Sequence, residues 1–179
     1  MAAGARSRHG ATPPGRGLRL TDVPLAVVLM ATFAAAMLVP AAHGAVVGDW
    51  DQGRVFFYSA LLFLLLSLFL SVATTPTEPR NRARARLLTL LAAYTVLPIM
   101  LAVPLDVAVG TTRFFSAWFE MLSALTTTGA TLFEPDRLST TVHLWRALVG
   151  WLGGYMILVA AIAILAPLNL GGYEVLSTA

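Results

Sequence analysis

The 179-residue sequence contains no cysteine and no lysine, and only 12% of its residues are charged. Each absence removes a class of chemistry. Without cysteine there is no disulfide framework, no thiol nucleophile and no thiolate metal site. Without lysine there is no P-loop, whose lysine must reach the phosphates, and no Schiff-base enzyme. Histidine is scarce as well: His9, His43 and His143 lie far apart and form no ligand spacing. What remains is 58% hydrophobic, with a net charge of +3 carried entirely by arginine. A soluble domain has about a quarter of its residues charged, so this composition describes a chain that lives in lipid. Its function must come from backbone, hydroxyl and apolar groups.

A spanning helix needs about 20 apolar residues, at ~1.5 Å rise each, to cross a hydrocarbon core of about 30 Å. Val23 to Ala42, Val55 to Thr74 and Ala147 to Pro167 meet that length without a charge, and Leu87 to Leu105 nearly does. Pro98 and Pro104 predict a kink in the last of these. Arginine sets the orientation, because short positive loops stay on the cytoplasmic side. The tail holds Arg6, Arg8, Arg16 and Arg19, and the loop between spans two and three holds Arg80, Arg82, Arg84 and Arg86. The loop from His43 to Arg54 carries Asp49, Asp51 and one arginine, as an external loop should. The chain thus divides into a disordered cytoplasmic tail over 1–19, two leading spans with the Arg-rich loop over 20–86, and a helix, loop and helix over 87–179. A competing reading takes the Arg-bearing tail, the first apolar run and Ala41 to Ala45 as a secretory signal.

Between spans three and four, Thr111 to Leu144 is neither span nor ordinary loop. Phe114 to Leu125 is apolar and aromatic over about twelve residues, a helix of about 18 Å that reaches half-way into a bilayer. The run Thr126-Thr127-Thr128-Gly129-Ala130-Thr131 follows, poor in helix formers and with one residue free to take positive φ. The chain then returns outward through Leu132 to Pro135. Backbone that is unpaired at membrane depth survives only where protein, water or an ion covers it. A re-entrant Thr-Gly run can therefore turn carbonyl oxygens toward a monovalent cation, helped by the negative end of the short helix. The same composition also describes an external turn after an interfacial helix.

The pattern Phe119-Glu120, Ser123, Thr126 to Thr131, then Trp145-Arg146 and Trp151-Leu152-Gly153-Gly154, resembles the first pore loop and following helix of TrkH-type potassium uptake proteins, within the Trk, Ktr and HKT superfamily. That resemblance implies an all-α membrane fold: two leading helices, then one helix, pore loop and helix, with four spans and one re-entrant loop. It implies K⁺ as the transported ion and no cofactor, with the backbone carbonyls of Thr127, Thr128, Gly129 and Ala130 as ligands. Thr126, Thr131, Glu120, Ser123, Arg146, Gly153 and Gly154 are the supporting residues. It implies residence in the inner membrane, multi-pass, with a cytoplasmic N-terminus, and a cytoplasmic nucleotide-binding regulatory subunit of the TrkA type as partner, besides lipid; no nucleic acid is expected. The family surrounds one pore with four helix–loop–helix units, and this chain has one. The expectation is a first repeat, truncated after its second helix, completed by remaining repeats or by further copies as a homotetrameric channel. A non-conducting membrane subunit that serves assembly is the reading from a different class, and no enzyme is expected.

Glu120 is read two ways: it adds negative field beside the pathway, or it pairs with Arg113 or Arg146 to pin the loop. Trp145 and Arg146 read as anchors at the outer interface. Gly150 and Gly154 are spaced for close approach of a neighbouring backbone.

Overall fold

The computed structural model describes residues 24–74, 82–111 and 113–165; the tail over 1–19, Arg80 and Pro167 lie outside them. The architecture is helical, with no strand among the described residues: α1 (Leu25–Ala36), α2 (Leu38–Val47), α3 (Trp50–Ala73), α4 (Arg82–Val109), α5 (Phe114–Leu125), a 3₁₀ turn over Pro135–Arg137, and α6 (Thr140–Leu165). Four segments are long and apolar enough to cross a membrane, Leu25–Val47, Trp50–Ala73, Leu88–Val109 and Thr140–Ile162.

The helix of the first span is interrupted at Met37, where α1 passes into α2. Pro40 accounts for the interruption, since it offers no N–H to Ala36 and its ring crowds that carbonyl. Pro98 and Pro104, by contrast, sit inside an unbroken α4. The expected external loop from His43 to Arg54 is a tight helical hairpin, with only Gly48 and Asp49 between α2 and α3. Gly48 takes φ +87°, the left-handed conformation that ends a helix. Beneath it α2 and α3 cross at two glycines: a Cβ on Gly44 would lie 2.8 Å from the Cα of Gly53. The Arg-rich loop is also more regular than its composition suggests, because Arg82, Arg84 and Arg86 lie in α4, arginine being a good helix former. Likewise the last span begins at Thr140, earlier than Ala147, since His143 and Arg146 are tolerated near its end.

The leading helices α1 to α3 pack together, α5 wedges between α4 and α6, and α3 and α4 join the two halves. Phe33, Met37, Phe56, Leu101, Leu105, Met121, Leu125 and Trp145 form the fully buried core. Trp145 is therefore not an interfacial anchor. It has no exposed surface and packs on Phe56, ring centroids 5.6 Å apart. The two halves are tied at one end by polar contacts: His43 Nδ1 lies 3.3 Å from Thr141 Oγ1, and Ser139 donates its hydroxyl to the Gln52 side-chain oxygen. Ser139 also caps α6, accepting from Val142 N–H at 3.3 Å. The outward faces of α3 and α6 remain apolar, with Leu62, Leu68, Phe69, Trp151 and Leu158 exposed.

Candidate functional site

The half-length helix expected from the aromatic run is α5, with the same bounds. It ends because the threonines take over its carbonyls. Thr126 N–H donates to Leu122 at 2.9 Å, Thr127 N–H to Ala124 at 3.0 Å and Thr128 N–H to Ser123 at 2.9 Å. The last two bonds make a Schellman closure, which requires a left-handed residue at Thr127. Thr127 does adopt φ +56°. Glycine is the usual occupant of that position, and a β-branched residue there is strained by about 1–2 kcal/mol. Sequence reasoning placed the positive φ at Gly129, which has φ +76°, and missed Thr127. Helix-ending preference alone gives no warning of it.

Beyond Thr128 the backbone is open. The carbonyls of Thr127, Thr128, Gly129 and Ala130 accept no hydrogen bond among the described residues, and all four residues are exposed. Thr126 and Thr128 share a hydroxyl contact at 2.8 Å, which ties the start of the run to itself.

The return of the chain is held by one ion pair. Glu120 is 2% exposed, and its carboxylate pairs with the guanidinium of Arg146. The other carboxylate oxygen accepts from Leu132 N–H at 3.0 Å, while Arg146 donates to Thr131 Oγ1 at 2.9 Å. Glu120 on α5 and Arg146 on α6 thus grip the run just past Gly129 and Ala130. Of the two arginines considered as partners, Arg146 makes the contact, and exposed Arg113 stands at the start of α5.

Close packing sets the height of the run. A Cβ on Gly153 would come within 2.1 Å of the Leu125 carbonyl oxygen, so α5 can end where it does only against a glycine. Gly150 and Gly154 are less constrained, with added Cβ atoms at 3.7 Å from Ala124 and 3.6 Å from Thr127. Gly153 lies thirteen residues into the 26-residue α6, about 20 Å along it at ~1.5 Å per residue. The end of α5 and the start of the Thr-Gly run therefore lie level with the middle of α6. A groove of about 460 Å³ opens between α5, the run and α6, lined by Glu120, Ser123, Thr127, Gly129, Arg146 and Gly150 among others. No group of three or more His, Asp or Glu side chains that could hold a metal ion gathers among the described residues.

No model of a known family matches the chain, and no solved structure matches it. Curated relatives do. Trk system potassium uptake protein TrkH of Escherichia coli is 30% identical over 149 residues, 82% of this chain and 31% of that protein. TrkI of Halomonas elongata is 38% identical over 89 residues, 49% of this chain and 17% of that protein. TrkH of Vibrio parahaemolyticus is 46% identical over 59 residues, 32% of this chain and 12% of that protein. In each case the chain spans less than a third of the relative's length.

Proposed function

Because this chain belongs with the TrkH-type potassium uptake proteins, we propose that it supplies one filter strand of a potassium uptake pathway. The ligands are the backbone carbonyls of Thr127, Thr128, Gly129 and Ala130. One observation carries this reading: the amides of Thr126, Thr127 and Thr128 are bound to α5, while the carbonyls that follow are left open. Turns that mix left- and right-handed residues can instead gather N–H groups into an anion-binding nest. With the amides of Thr126, Thr127 and Thr128 occupied, the run keeps few N–H groups for an anion, those of Gly129 and Ala130 among them, and its four successive open carbonyls favour a cation. Free carbonyls replace the hydration shell of a monovalent ion, and the C-terminal end of α5 adds a negative potential.

In this reading α5 and the Thr-Gly run form a re-entrant loop at the middle depth of the membrane, where open backbone is tolerated because it faces the ion pathway. Glu120 and Arg146 hold the returning strand rather than the ion. Remaining repeats of the same transporter, or further copies, supply the other sides of the filter. In this reading the chain resides in the inner membrane, and the arginine distribution supports an N-terminus in the cytoplasm. The nucleotide-binding TrkA-type subunit docks on that cytoplasmic side.

The test is Gly129→Val in the complete transporter, followed by growth on limiting K⁺ and by rubidium uptake. A β-branched residue at positive φ carries a penalty of about 1–2 kcal/mol, equivalent to about a tenfold loss of rate. Unchanged uptake and selectivity would transfer the loop to a packing role in a non-conducting subunit.

A further inference from the structure

The groove between α5 and α6 contains a polar group that the ion pathway leaves unused. Ser123 is 4% exposed and lines this groove, and its hydroxyl finds no hydrogen-bond partner in the protein. Other hydroxyls in and beside the helices behave differently. Thr32, Ser67, Thr74, Thr95 and Thr126 each donate to the carbonyl four residues earlier. That bond is open to any helical serine, and Ser123 does not make it. A buried hydroxyl left without a partner is costly, and an ordered water with two to four polar neighbours is the common remedy. Space is ample, since the groove holds about 460 Å³ and one water takes about 30 Å³.

Open polar groups of the Thr-Gly run share this lining, as does His143, whose Nε2 lies 3.0 Å from the Pro135 carbonyl oxygen. Gly129 and Ala130 border the same groove, and their amides meet no acceptor among the described residues. Glu120 and Arg146 also border it, but they are engaged with each other, with Leu132 and with Thr131. We infer that Ser123 donates its hydroxyl to an ordered water in the groove, and that this water also accepts from the Gly129 or the Ala130 amide. The bridge braces the run from α5 on its groove side. It complements the grip of Glu120 and Arg146 one step further along the chain. Only its consequence for ion passage rests on the filter reading.

The experiment uses the full chain in detergent micelles, with Ser123→Ala and Ser123→Cys compared by thermal unfolding and by amide hydrogen exchange. Loss of the water lowers the Tm of Ser123→Ala by a few degrees and speeds exchange at Gly129 or Ala130 several-fold. The cysteine variant, similar in size and with a weak S–H donor, falls between. A hydroxyl that holds no water behaves in the opposite sense, because deleting an unsatisfied buried group leaves Tm unchanged or raises it. That outcome overturns the inference, as does a lowered Tm with unaltered exchange at both amides. If Ser123→Ala does not fold, the cysteine variant decides, together with a density map of the unaltered chain. That map must show a peak about 2.7–3.0 Å from the Ser123 oxygen. Neither readout uses ion flux, so the water site and the filter strand stand or fall separately.

Discussion

Glu120 and Arg146 form the contact on which single-residue changes should weigh most. The carboxylate is 2% exposed, and removing its partner leaves a buried, uncompensated charge. Arg146→Ala is expected to lower stability by about 3–5 kcal/mol, while the double change Glu120→Gln with Arg146→Met recovers most of that loss. A double-mutant cycle in thermal unfolding checks both statements. Thr127 and Thr128 should respond differently to glycine. At Thr127 the change removes about 1–2 kcal/mol of left-handed strain, offset by about 0.5–1 kcal/mol of extra unfolded-chain freedom. Tm should therefore hold or rise slightly. Thr128→Gly has no strain to relieve and loses the hydroxyl contact with Thr126, so its Tm should fall. The carboxylate was legible in the sequence as an ionisable group in an apolar helix. Its partner was not, because Arg113 and Arg146 are equally plausible until α6 brings one of them alongside.

At the level of elements, the seam between α5 and α6 depends on one glycine of three. Gly153→Ala drives a methyl into the Leu125 carbonyl, and the overlap is expected to cost about 2–3 kcal/mol. Gly150→Ala meets only ordinary contact at 3.7 Å, and it gains up to about 1 kcal/mol of helix propensity. Unfolding of the two variants in the same detergent should thus shift in opposite directions. The spacing of Gly150 and Gly154 pointed to close helix approach, yet the tightest contact falls on Gly153, because a helix end docks against α6 rather than a second full helix face. The hairpin of α2 and α3 was hidden for a related reason. Polar residues around Asp49 and Asp51 look like loop, and only the crossing of Gly44 over Gly53 shows that helix continues to within two residues of the turn. Trp145 offered the same ambiguity, since an aromatic near a span end serves as readily in a core as at an interface.

For the molecule as a whole, the absence of cysteine is an experimental advantage. Single-cysteine variants report which side of the membrane each segment faces. Asp51 and Asp136 are exposed, at the α2–α3 hairpin and at the turn before α6. Asp51→Cys and Asp136→Cys should react with a membrane-impermeant thiol reagent added outside intact cells, and Arg84→Cys should react only after permeabilisation. The reverse pattern would invert the orientation drawn from arginine. The exposed apolar faces of α3 and α6 form surface that lipid or further protein must cover, in keeping with a chain that matches less than a third of its relatives.

Residue order alone determined the four spans, the half-length helix with its ends, and the Thr-Gly run after it, because lipid imposes length and polarity rules that act along the chain. It left open how the run is held. The choice of Arg146, the strain at Thr127, the tight contact of Gly153 with the end of α5 and the unpartnered hydroxyl of Ser123 were decided by the folded structure. The strain at Thr127 follows from the closure of α5 by its own next two residues, whereas the others depend on which atoms α6 carries up against α5, and a separation of tens of residues leaves no periodic trace of that meeting in the sequence.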